Sequence, residues 1–382
     1  MQFRTKAIHV GNAPDPTTGA VVPPIHLAST YVQASAGEWG EFDYSRTGNP
    51  TRRNLETTLA ALESGIGALA FSSGMAATHA VTMLLNGGDH VVAGKDIYGG
   101  TYRLLHKICD RAGIEANLVD AADLDAIQKA IRPETKLLWI ETPGNPLMSI
   151  ADIVACSKIA RRHGILLGVD STFASPVLTR PLELGADIVM HSATKYIGGH
   201  SDVLGGALIV NDPDLLKRLH FVQNATGAVM GPLESFLCSR GLKTMELRVR
   251  EQSRTALRLA EYLSDHANIT RVLYPGLPSH PRYAIAARQM EDGFGAMLSF
   301  ELKGDYATTK RVVESTKLFQ LAVSLGSVES LIEQPASMSH ASYDAAARRA
   351  NGIADGLIRL SVGLEAFSDL RDDLEQALEF CG

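Results

Sequence analysis

Several features that would point to a specialised environment are missing from this sequence. Only four of its 382 residues are cysteines, widely separated and without a CxxC pair, so neither a zinc site nor a disulfide framework is predicted. No apolar run approaches the roughly 18 residues that span a membrane, and the first ten residues lack the apolar core of a signal peptide. Basic residues number 36 against 42 acidic ones, which disfavours nucleic-acid binding. We expect a cytoplasmic protein without a membrane or nucleic-acid partner.

Apolar segments and amphipathic helical patterns alternate over the first two-thirds of the chain. Hydrophobic residues make up 45% and charged residues 20%, as in ordinary globular proteins. Short apolar strands separated by such helices are typical of a parallel sheet that is covered on both faces. The pattern therefore predicts a doubly wound α/β domain. The predicted strands are 68–71, 90–94, 114–119, 136–141, 165–170, 186–191 and 206–210, and the predicted helices are 52–64, 74–85, 100–113 and 150–164.

The pattern changes at about residue 241. A long helical segment, 242–267, is followed by strands among helices, which indicates a smaller α+β domain. The first forty or so residues are rich in proline, glycine, serine and threonine and fit neither pattern. We therefore predict an extended N-terminal arm over 1–45, a large domain over 46–240 and a C-terminal domain over 241–382.

The segment SSGMAAT directly follows the predicted strand 68–71. In an open parallel sheet, ligands bind beyond the carboxyl ends of the strands. Free N–H groups at a helix N-terminus, together with hydroxyls and a glycine that allows close approach, favour a phosphate. A helix that is merely well capped would show the same residues.

Three other strand ends carry residues that suit one cofactor. Asp170 ends the strand 165–170, Lys195 follows 186–191 within HSATKYIGGHSD, and Tyr98 follows 90–94. A buried amine is costly unless it is paired, solvated or used in chemistry. Pyridoxal phosphate would use the whole set, because Lys195 would form a Schiff base with its aldehyde, Asp170 would face the ring nitrogen and Tyr98 would stack on the ring. Packing for Tyr98 and helix capping for Asp170 are the structural alternatives.

A series of motifs extends along essentially the whole chain: FDYSRTGNPTRRNLE, FSSGMAAT, YGGTYR, ETPGNP, VDSTFASP, HSATKYIGGHSD, SLGSVESL and LIRLSVGLE. In this order they resemble the pyridoxal-phosphate-dependent enzymes of cysteine and methionine metabolism. The resemblance implies an α/β fold with an aspartate-aminotransferase-like large domain of the type I class, whose sheet is mostly parallel, and a smaller α+β C-terminal domain. It also implies pyridoxal 5'-phosphate as cofactor and a homotetramer, a dimer of dimers with shared active sites, acting on a small amino acid.

The resemblance also implies roles for particular residues, with no metal among the ligands. Lys195 matches the Schiff-base lysine, Asp170 the partner of the ring nitrogen and Tyr98 the stacking tyrosine, which would also serve in catalysis. The further cofactor residues are Gly74 and Met75 through their backbone, Ser192 and Thr194 through their hydroxyls, and Tyr44 and Arg46, which would reach the neighbouring subunit's phosphate. The substrate residues are Arg359, Ser324 and Asn145 at the α-carboxylate, and Arg103, Glu329 and Asp43 at the distal end. A surface ion pair is the alternative for Arg103 and Asp43.

The choice among the family's reactions depends on single positions. Gly100 stands where methionine-cleaving members tend to have cysteine, and Leu325 stands where the bacterial β-cleaving type has an aromatic residue. We therefore expect a cystathionine γ-lyase, with cystathionine γ-synthase as the alternative. Ser327 and Tyr343 depart from the family's pattern, and the sequence does not say how they alter the pocket.

Readings from two other classes are less well supported. The segment GIGALA, 65–70, fits a dinucleotide-binding pattern, but it follows a helical stretch rather than a strand. A non-enzymatic scaffold on the same fold would have no use for Lys195, Asp170 and Arg359 together.

Overall fold

In the computed structural model of the protein, which describes residues 1–341 and 345–381, helices cover two β-sheets. Tyr343 lies outside the described residues. Over the described ranges the larger sheet has seven strands: β1 (Gly67–Phe71), β2 (His90–Gly94), β3 (Glu115–Val119), β4 (Thr135–Glu141), β5 (Leu166–Asp170), β6 (Ile188–His191) and β7 (Gly206–Val210).

The larger sheet is mostly parallel, as predicted. Its strand order is β1-β7-β6-β5-β4-β2-β3, and only β7 runs antiparallel to its neighbours. All residues of β2, β6 and β7 are buried, because helices cover both faces of a sheet of this kind. The carboxyl ends of β2, β4, β5 and β6 consequently meet at one edge.

Several helices of the larger sheet begin at polar caps. The side chain of Asn49 caps α2, that of Ser73 caps α3 and that of Asp152 caps α6, as expected for residue types that accept hydrogen bonds from free N–H groups. The helices in the first part of the described chain, up to residue 226, are α1 (Phe3–His9), α2 (Pro50–Leu62), α3 (Gly74–Thr82), α4 (Gly99–Arg103), α5 (Leu124–Ala130), α6 (Ile153–His163), α7 (Ser175–Leu178) and α8 (Pro213–Thr226). A π-helical turn, Leu104–Cys109, and a 3-10 turn, Asp110–Ala112, continue α4.

The long C-terminal helix begins earlier than predicted. Helix α9 (Pro232–Ser264) has 33 residues and starts ten residues before the expected position 242. Gly231 precedes it and Pro232 occupies its first turn, where a missing N–H is tolerated. The predicted domain boundary at 240/241 therefore falls inside α9, and the division into an arm and two domains stays a prediction.

A smaller, mostly antiparallel sheet follows α9. Its order in the described part of the chain is β10-β11-β12-β9-β8, and only β10 and β11 are parallel. Its strands are β8 (Ile269–Leu273), β9 (Met297–Leu302), β10 (Gln320–Leu321), β11 (Leu331–Glu333) and β12 (Leu357–Ser361). The remaining helices are α10 (Tyr283–Gln289), α11 (Tyr306–Ser315), α12 (Ala345–Ala350), α13 (Phe367–Leu378) and a 3-10 turn, Glu379–Cys381.

One hydrophobic core connects the two sheets. It includes Leu55 of α2, Leu259 of α9 and Phe300 of β9, all fully buried. The smaller sheet is thereby held against the larger one, and loops of both reach the same cavity. None of the helices in the described ranges is long and apolar enough to cross a membrane.

Candidate active site

A cavity of about 340 Å³ lies at the carboxyl edge of the larger sheet. Segments that follow five strands of this sheet, β1, β2, β4, β5 and β6, meet there with the segment before β11 and with strand β12. The sequence-predicted residues that line it are Gly74, Met75, Tyr98, Arg103, Asn145, Asp170, Ser192, Thr194, Lys195, Ser324 and Arg359.

Lys195 lies in the turn that follows β6. Its backbone N–H donates to Ser192 O at 3.1 Å and its own carbonyl accepts from Gly199 N at 2.7 Å, which fixes the turn. The amine Nζ donates to Ser324 Oγ at 2.7 Å. Burial, reinforced by the Arg359 guanidinium, lowers the pKa of Lys195 from 10.5 to about 8. An amine whose pKa is lowered in this way loses its proton more readily than a free lysine and can act as a nucleophile and as a base.

Asp170 ends β5 and is 5% exposed. Its Oδ1 accepts hydrogen bonds from Thr172 N at 3.0 Å and from Thr172 Oγ1 at 2.5 Å. Burial raises the pKa of Asp170 above its ordinary value, and the bonds from Thr172 partly oppose that effect. A buried carboxylate with this preference to hold a proton suits a partner that brings one, such as a protonated ring nitrogen.

A second buried carboxyl, that of Glu141, adjoins Asp170. The two residues are register partners on β4 and β5. Glu141 Oε2 accepts a hydrogen bond from Tyr98 N at 2.7 Å and so positions the start of α4. Burial and the nearby Asp170 charge raise the pKa of Glu141 well above its ordinary value.

The start of α3 forms a cradle next to Lys195. Ser73 caps the helix through its side chain, and the first N–H groups, at Gly74 and Met75, have no acceptor within the helix. A Cβ added at Gly74 would lie 3.1 Å from Ser192 Oγ, so glycine leaves room between this turn and the hydroxyl. Such a set of donors at a helix N-terminus fits a phosphate.

The donors around the cavity fit pyridoxal phosphate. The cradle can hold the phosphate, Asp170 can pair with the ring nitrogen, and the amine of Lys195 can bond to the aldehyde carbon. Tyr98 is about half exposed and lines the same space, where its ring can stack. In the described part of the chain, no three histidine, cysteine or acidic side chains cluster as metal ligands would.

Arg359 lies on β12, buried opposite Lys195 in the cavity wall. Its Nη1 donates to Asn145 Oδ1 at 2.9 Å and its Nη2 donates to Ser324 O at 2.9 Å. Its Nε is buried and has no hydrogen-bond partner among the described residues. The guanidinium is therefore fixed in place with donors to spare, as a binding site for a planar carboxylate requires.

Ser324 connects the lysine and the arginine. Its hydroxyl accepts from Lys195 and its carbonyl accepts from Arg359. Its φ is +103°, in the region that favours glycine. Strained backbone of this kind persists where the surroundings hold it and is frequent at functional sites.

Four predicted residues lie away from the cavity of the chain. Arg46 Nη1 donates to Asn224 O at 2.6 Å, with its guanidinium 5.5 Å from the ring centre of Tyr44. Asp43 Oδ1 accepts from Tyr44 N at 2.6 Å. Glu329 is exposed and accepts a hydrogen bond from Ser327 Oγ. None of the four lines the cavity, so their roles remain predictions.

Several cavity residues were not identified from the sequence. Glu141 is the last residue of a predicted strand, which is the same signal that marks Asp170. Thr172 follows Asp170 by two positions, the spacing of a local side-chain hydrogen bond, and that spacing is its signal. Glu333, Phe173 and Ser339 also line the cavity, and no sequence signal marks them.

Comparison with known proteins agrees with this geometry. The family model described as "Cys/Met metabolism PLP-dependent enzyme" matches residues 4–379. The chain is 53% identical over 376 residues to a cystathionine gamma-synthase of Mycobacterium tuberculosis, covering 98% of this chain and 96% of that one. It is 51% identical to a cystathionine beta-lyase of Coxiella burnetii, covering 98% and 97%. A solved cystathionine gamma-lyase of Lactobacillus plantarum, complexed with L-serine, has a TM-score of 0.96 at 46% identity, covering 100% and 99%.

The fold and the site define a pyridoxal-phosphate-dependent enzyme with the aspartate-aminotransferase-like architecture. More specifically, the chain belongs to the family of Cys/Met metabolism PLP-dependent enzymes. The relatives carry three different activity names at similar identity, so the similarity alone does not choose among them.

Proposed function

We propose that this protein is a cystathionine γ-lyase, which converts L-cystathionine and water to cysteine, 2-oxobutyrate and ammonia. The observation that carries the proposal is the meeting of Lys195, Asp170 and Arg359 around one cavity. Pyridoxal phosphate, when bound, would supply an electron sink for negative charge at the substrate's α carbon.

Lys195 is the proposed base. Its amine has a pKa of about 8 because burial and Arg359 disfavour the ammonium form, so a useful fraction is neutral near physiological pH. Ser324 Oγ holds this amine at 2.7 Å and thereby directs it toward the cavity. Lys195 can take the proton from the substrate's α carbon, and a proton then has to leave the β carbon as well before the γ C–S bond breaks.

Arg359 would bind the α-carboxylate of the substrate. Asn145 and Ser324 hold the guanidinium in a fixed orientation, and its buried Nε is available to a ligand. Two-point binding by a planar guanidinium would fix the α carbon relative to Lys195. Tyr98, at the mouth of the cavity, is proposed to give a proton to the departing thiol.

Two positions, Gly100 beside the cavity-lining Tyr98 and Leu325 in the cavity wall, support γ-cleavage of cystathionine over related reactions. A Cβ at Gly100 would lie 2.4 Å from Cε1 of Tyr98 and 2.7 Å from Met75 Sδ, so a cysteine there would displace the stacking ring. Leu325 lines the cavity where the resemblance places an aromatic residue in bacterial β-cleaving enzymes. Arg103, which also lines the cavity, would meet the distal carboxylate of cystathionine, with Glu329 and Asp43 nearer its ammonium.

Cystathionine γ-synthase is the second candidate. It is favoured by the 53% identity to the synthase of Mycobacterium tuberculosis. The same residues would serve, because in the synthase reaction the cysteine sulfur bonds to the γ carbon of an O-acyl-homoserine in place of the acyloxy group, which leaves as a carboxylate. The two activities differ in the acceptor, water or cysteine, rather than in the base.

Tyr44 and Arg46, on either side of the predicted boundary between the arm and the large domain, are proposed to complete the site of a second subunit. Both are exposed and lie outside the cavity of their own chain. The backbone of this loop is nevertheless held, since buried Arg52 donates to Ser45 O at 2.7 Å and to Arg46 O at 3.1 Å. A homotetramer with shared sites, in the cytoplasm, is the assembly we propose.

Product analysis tests the choice of reaction. The holoenzyme is incubated with L-cystathionine alone, and separately with O-succinyl- or O-acetylhomoserine plus cysteine, and the products are identified by mass spectrometry. Cysteine and 2-oxobutyrate from the first mixture support the γ-lyase. Homocysteine and pyruvate would indicate β-cleavage, and cystathionine formed only in the second mixture would indicate the synthase.

A further inference from the structure

The carboxylate of Glu333 is an ion-pair partner of Arg359 inside the cavity. The two residues are register partners on the antiparallel strands β11 and β12. Glu333 Oε1 lies 3.1 Å from Arg359 Nη1, and their side chains are 1% and 5% exposed. Both residues line the cavity, so the pair belongs to the wall that a substrate would meet.

The other contacts hold Glu333 on this arginine. Ser339 Oγ donates to Glu333 Oε1 at 2.7 Å, and the same oxygen lies 3.1 Å from Arg359 Nη1. The second oxygen, Oε2, is buried without a hydrogen-bond partner among the described residues. A carboxylate in this state interacts strongly with the nearest cation, since little water screens the two charges.

The guanidinium has a limited number of donors. Nη1 donates a hydrogen bond to Asn145 Oδ1 and lies 3.1 Å from Glu333 Oε1, while Nη2 donates to Ser324 O. Nε and the second hydrogen of Nη2 remain for a ligand. A substrate carboxylate would bind there, a few ångströms from a negative charge that already occupies the other side of the same guanidinium.

We propose that Glu333 is a positioning residue that holds Arg359 and weakens its affinity for carboxylates, so that a substrate binds the site without being trapped in it. The inference rests on the proposed role of Arg359 within the proposed function. It goes beyond that function because it assigns to Glu333 an opposing, like-charge effect on every carboxylate that enters.

The charges of Arg359 and Glu333 also affect the pKa of Lys195. The Arg359 guanidinium favours its neutral amine, and the Glu333 carboxylate opposes that effect. The Arg359 guanidinium both attracts a carboxylate and favours the neutral amine of Lys195. Glu333 therefore moderates both effects of Arg359.

Binding of an unreactive carboxylate measures this effect directly. Dissociation constants of the holoenzyme for butanoate and for butanamide, its uncharged analogue, are determined by calorimetry. The variant Glu333→Gln keeps the size of the side chain and an oxygen that accepts from Ser339. We expect it to bind butanoate about fivefold to tenfold more tightly, because a like charge a few ångströms away has been removed, and to bind butanamide unchanged.

Glu365→Gln is the matched control. Glu365 accepts hydrogen bonds from Ser330 N and Oγ, each at 2.7 Å, and does not line the cavity. The same loss of charge at this position should leave both dissociation constants unchanged. Unchanged or weaker butanoate binding by Glu333→Gln would overturn the proposal, as would equal tightening of both ligands. A wild-type enzyme that bound butanoate no better than butanamide would also overturn it.

A second variant protects the test against a folding defect. Ser339→Ala removes the donor that shares Glu333 Oε1 with Arg359. It should strengthen the hold of Glu333 on Arg359 and weaken butanoate binding about twofold to threefold, whereas unchanged or tighter binding would contradict the proposal. The failure of the proposed function is separately visible, because an enzyme that neither cleaved nor made cystathionine would still give the butanoate and butanamide constants that decide the role of Glu333.

Discussion

Glu141 and Asp170 lie side by side at the ends of β4 and β5, and both carboxyls line the cavity. Each residue is 5% exposed. Two carboxyls so close in a poorly solvated site do not both ionise readily. Burial and the Asp170 charge raise the pKa of Glu141 well above its ordinary value, and burial raises the pKa of Asp170 as well. We therefore expect Glu141 to hold its proton when a protonated ring nitrogen faces Asp170 and favours its charged form.

Replacing each of the two carboxyls by the corresponding amide should have different effects on activity. Glu141→Gln replaces a neutral group with a neutral group and keeps an acceptor for Tyr98 N–H, so cofactor affinity and kcat/KM should change by less than about threefold. Asp170→Asn removes the charge that faces the ring nitrogen and should lower kcat/KM by about 100-fold or more. Steady-state kinetics and cofactor titration measure both. Equal losses in the two variants would contradict the assignment of the charge to Asp170.

Two substitutions at Ser324 distinguish the effect of its backbone strain from the effect of its hydrogen bond to Lys195. Ser324→Ala and Ser324→Gly both lose the bond to Lys195, but only glycine adopts the φ of +103° without strain. We expect the glycine variant to have a free energy of unfolding about 1 kcal/mol higher than the alanine variant, with similarly reduced kcat. Urea unfolding compares them. An alanine variant as stable as the glycine variant would show that this backbone is not strained.

Buried Lys195 should make stability depend on pH in the cofactor-free protein. Its pKa is about 8 when folded and 10.5 when unfolded. Between these values the unfolded chain binds a proton that the folded chain does not, so the free energy of unfolding rises with pH. Below pH 8 both states are protonated and the buried charge costs its full amount, on the order of 3 kcal/mol for this difference in pKa.

The variant Lys195→Met isolates that effect. Below pH 8 it should be more stable than the wild-type protein, and the difference should shrink through the window and level off above pH 10.5. Denaturant unfolding of both cofactor-free proteins across this range gives the difference at each pH. A difference that does not vary with pH would contradict the lowered pKa of Lys195.

The proposed sharing of sites between subunits predicts complementation. Lys195→Ala and Arg46→Ala should each be nearly inactive alone. If Arg46 serves the neighbouring site, half of the dimers in an equal mixture are mixed, and each has one intact site of two, so about one quarter of the activity should return. Subunits are exchanged by dilution from mild denaturant and assayed. If both residues served the same site, the mixture would recover no activity.

The larger sheet and much of the site could be predicted because they depend on local patterns. Apolar strands followed by polar or small residues predict Asp170 and Lys195 at one edge of a parallel sheet, and both line one cavity in the structure. Glu141 follows the same rule at the end of β4. At that strand end the prediction names Asn145 of the following TPGNP instead.

The rest depends on contacts between distant segments. Glu333 lies on a strand of three residues, too short for a periodic signal, and its pairing with Arg359 is set by the register of β11 and β12. Glu329 is exposed and accepts a hydrogen bond from Ser327 Oγ, and the motif indicates neither feature. The early start of α9 at Pro232 was hidden because glycine and proline precede its apolar pattern.

The attachment of the cofactor is the claim on which the whole account depends, and reduction followed by peptide mapping tests it most directly. The holoenzyme is treated with borohydride and digested, and the modified peptide is identified by mass spectrometry, with Lys195→Ala as the control. The account predicts a pyridoxyl group on Lys195 in the wild-type protein and none in the variant. A label on any other lysine, or a variant that still carries it, would contradict the account.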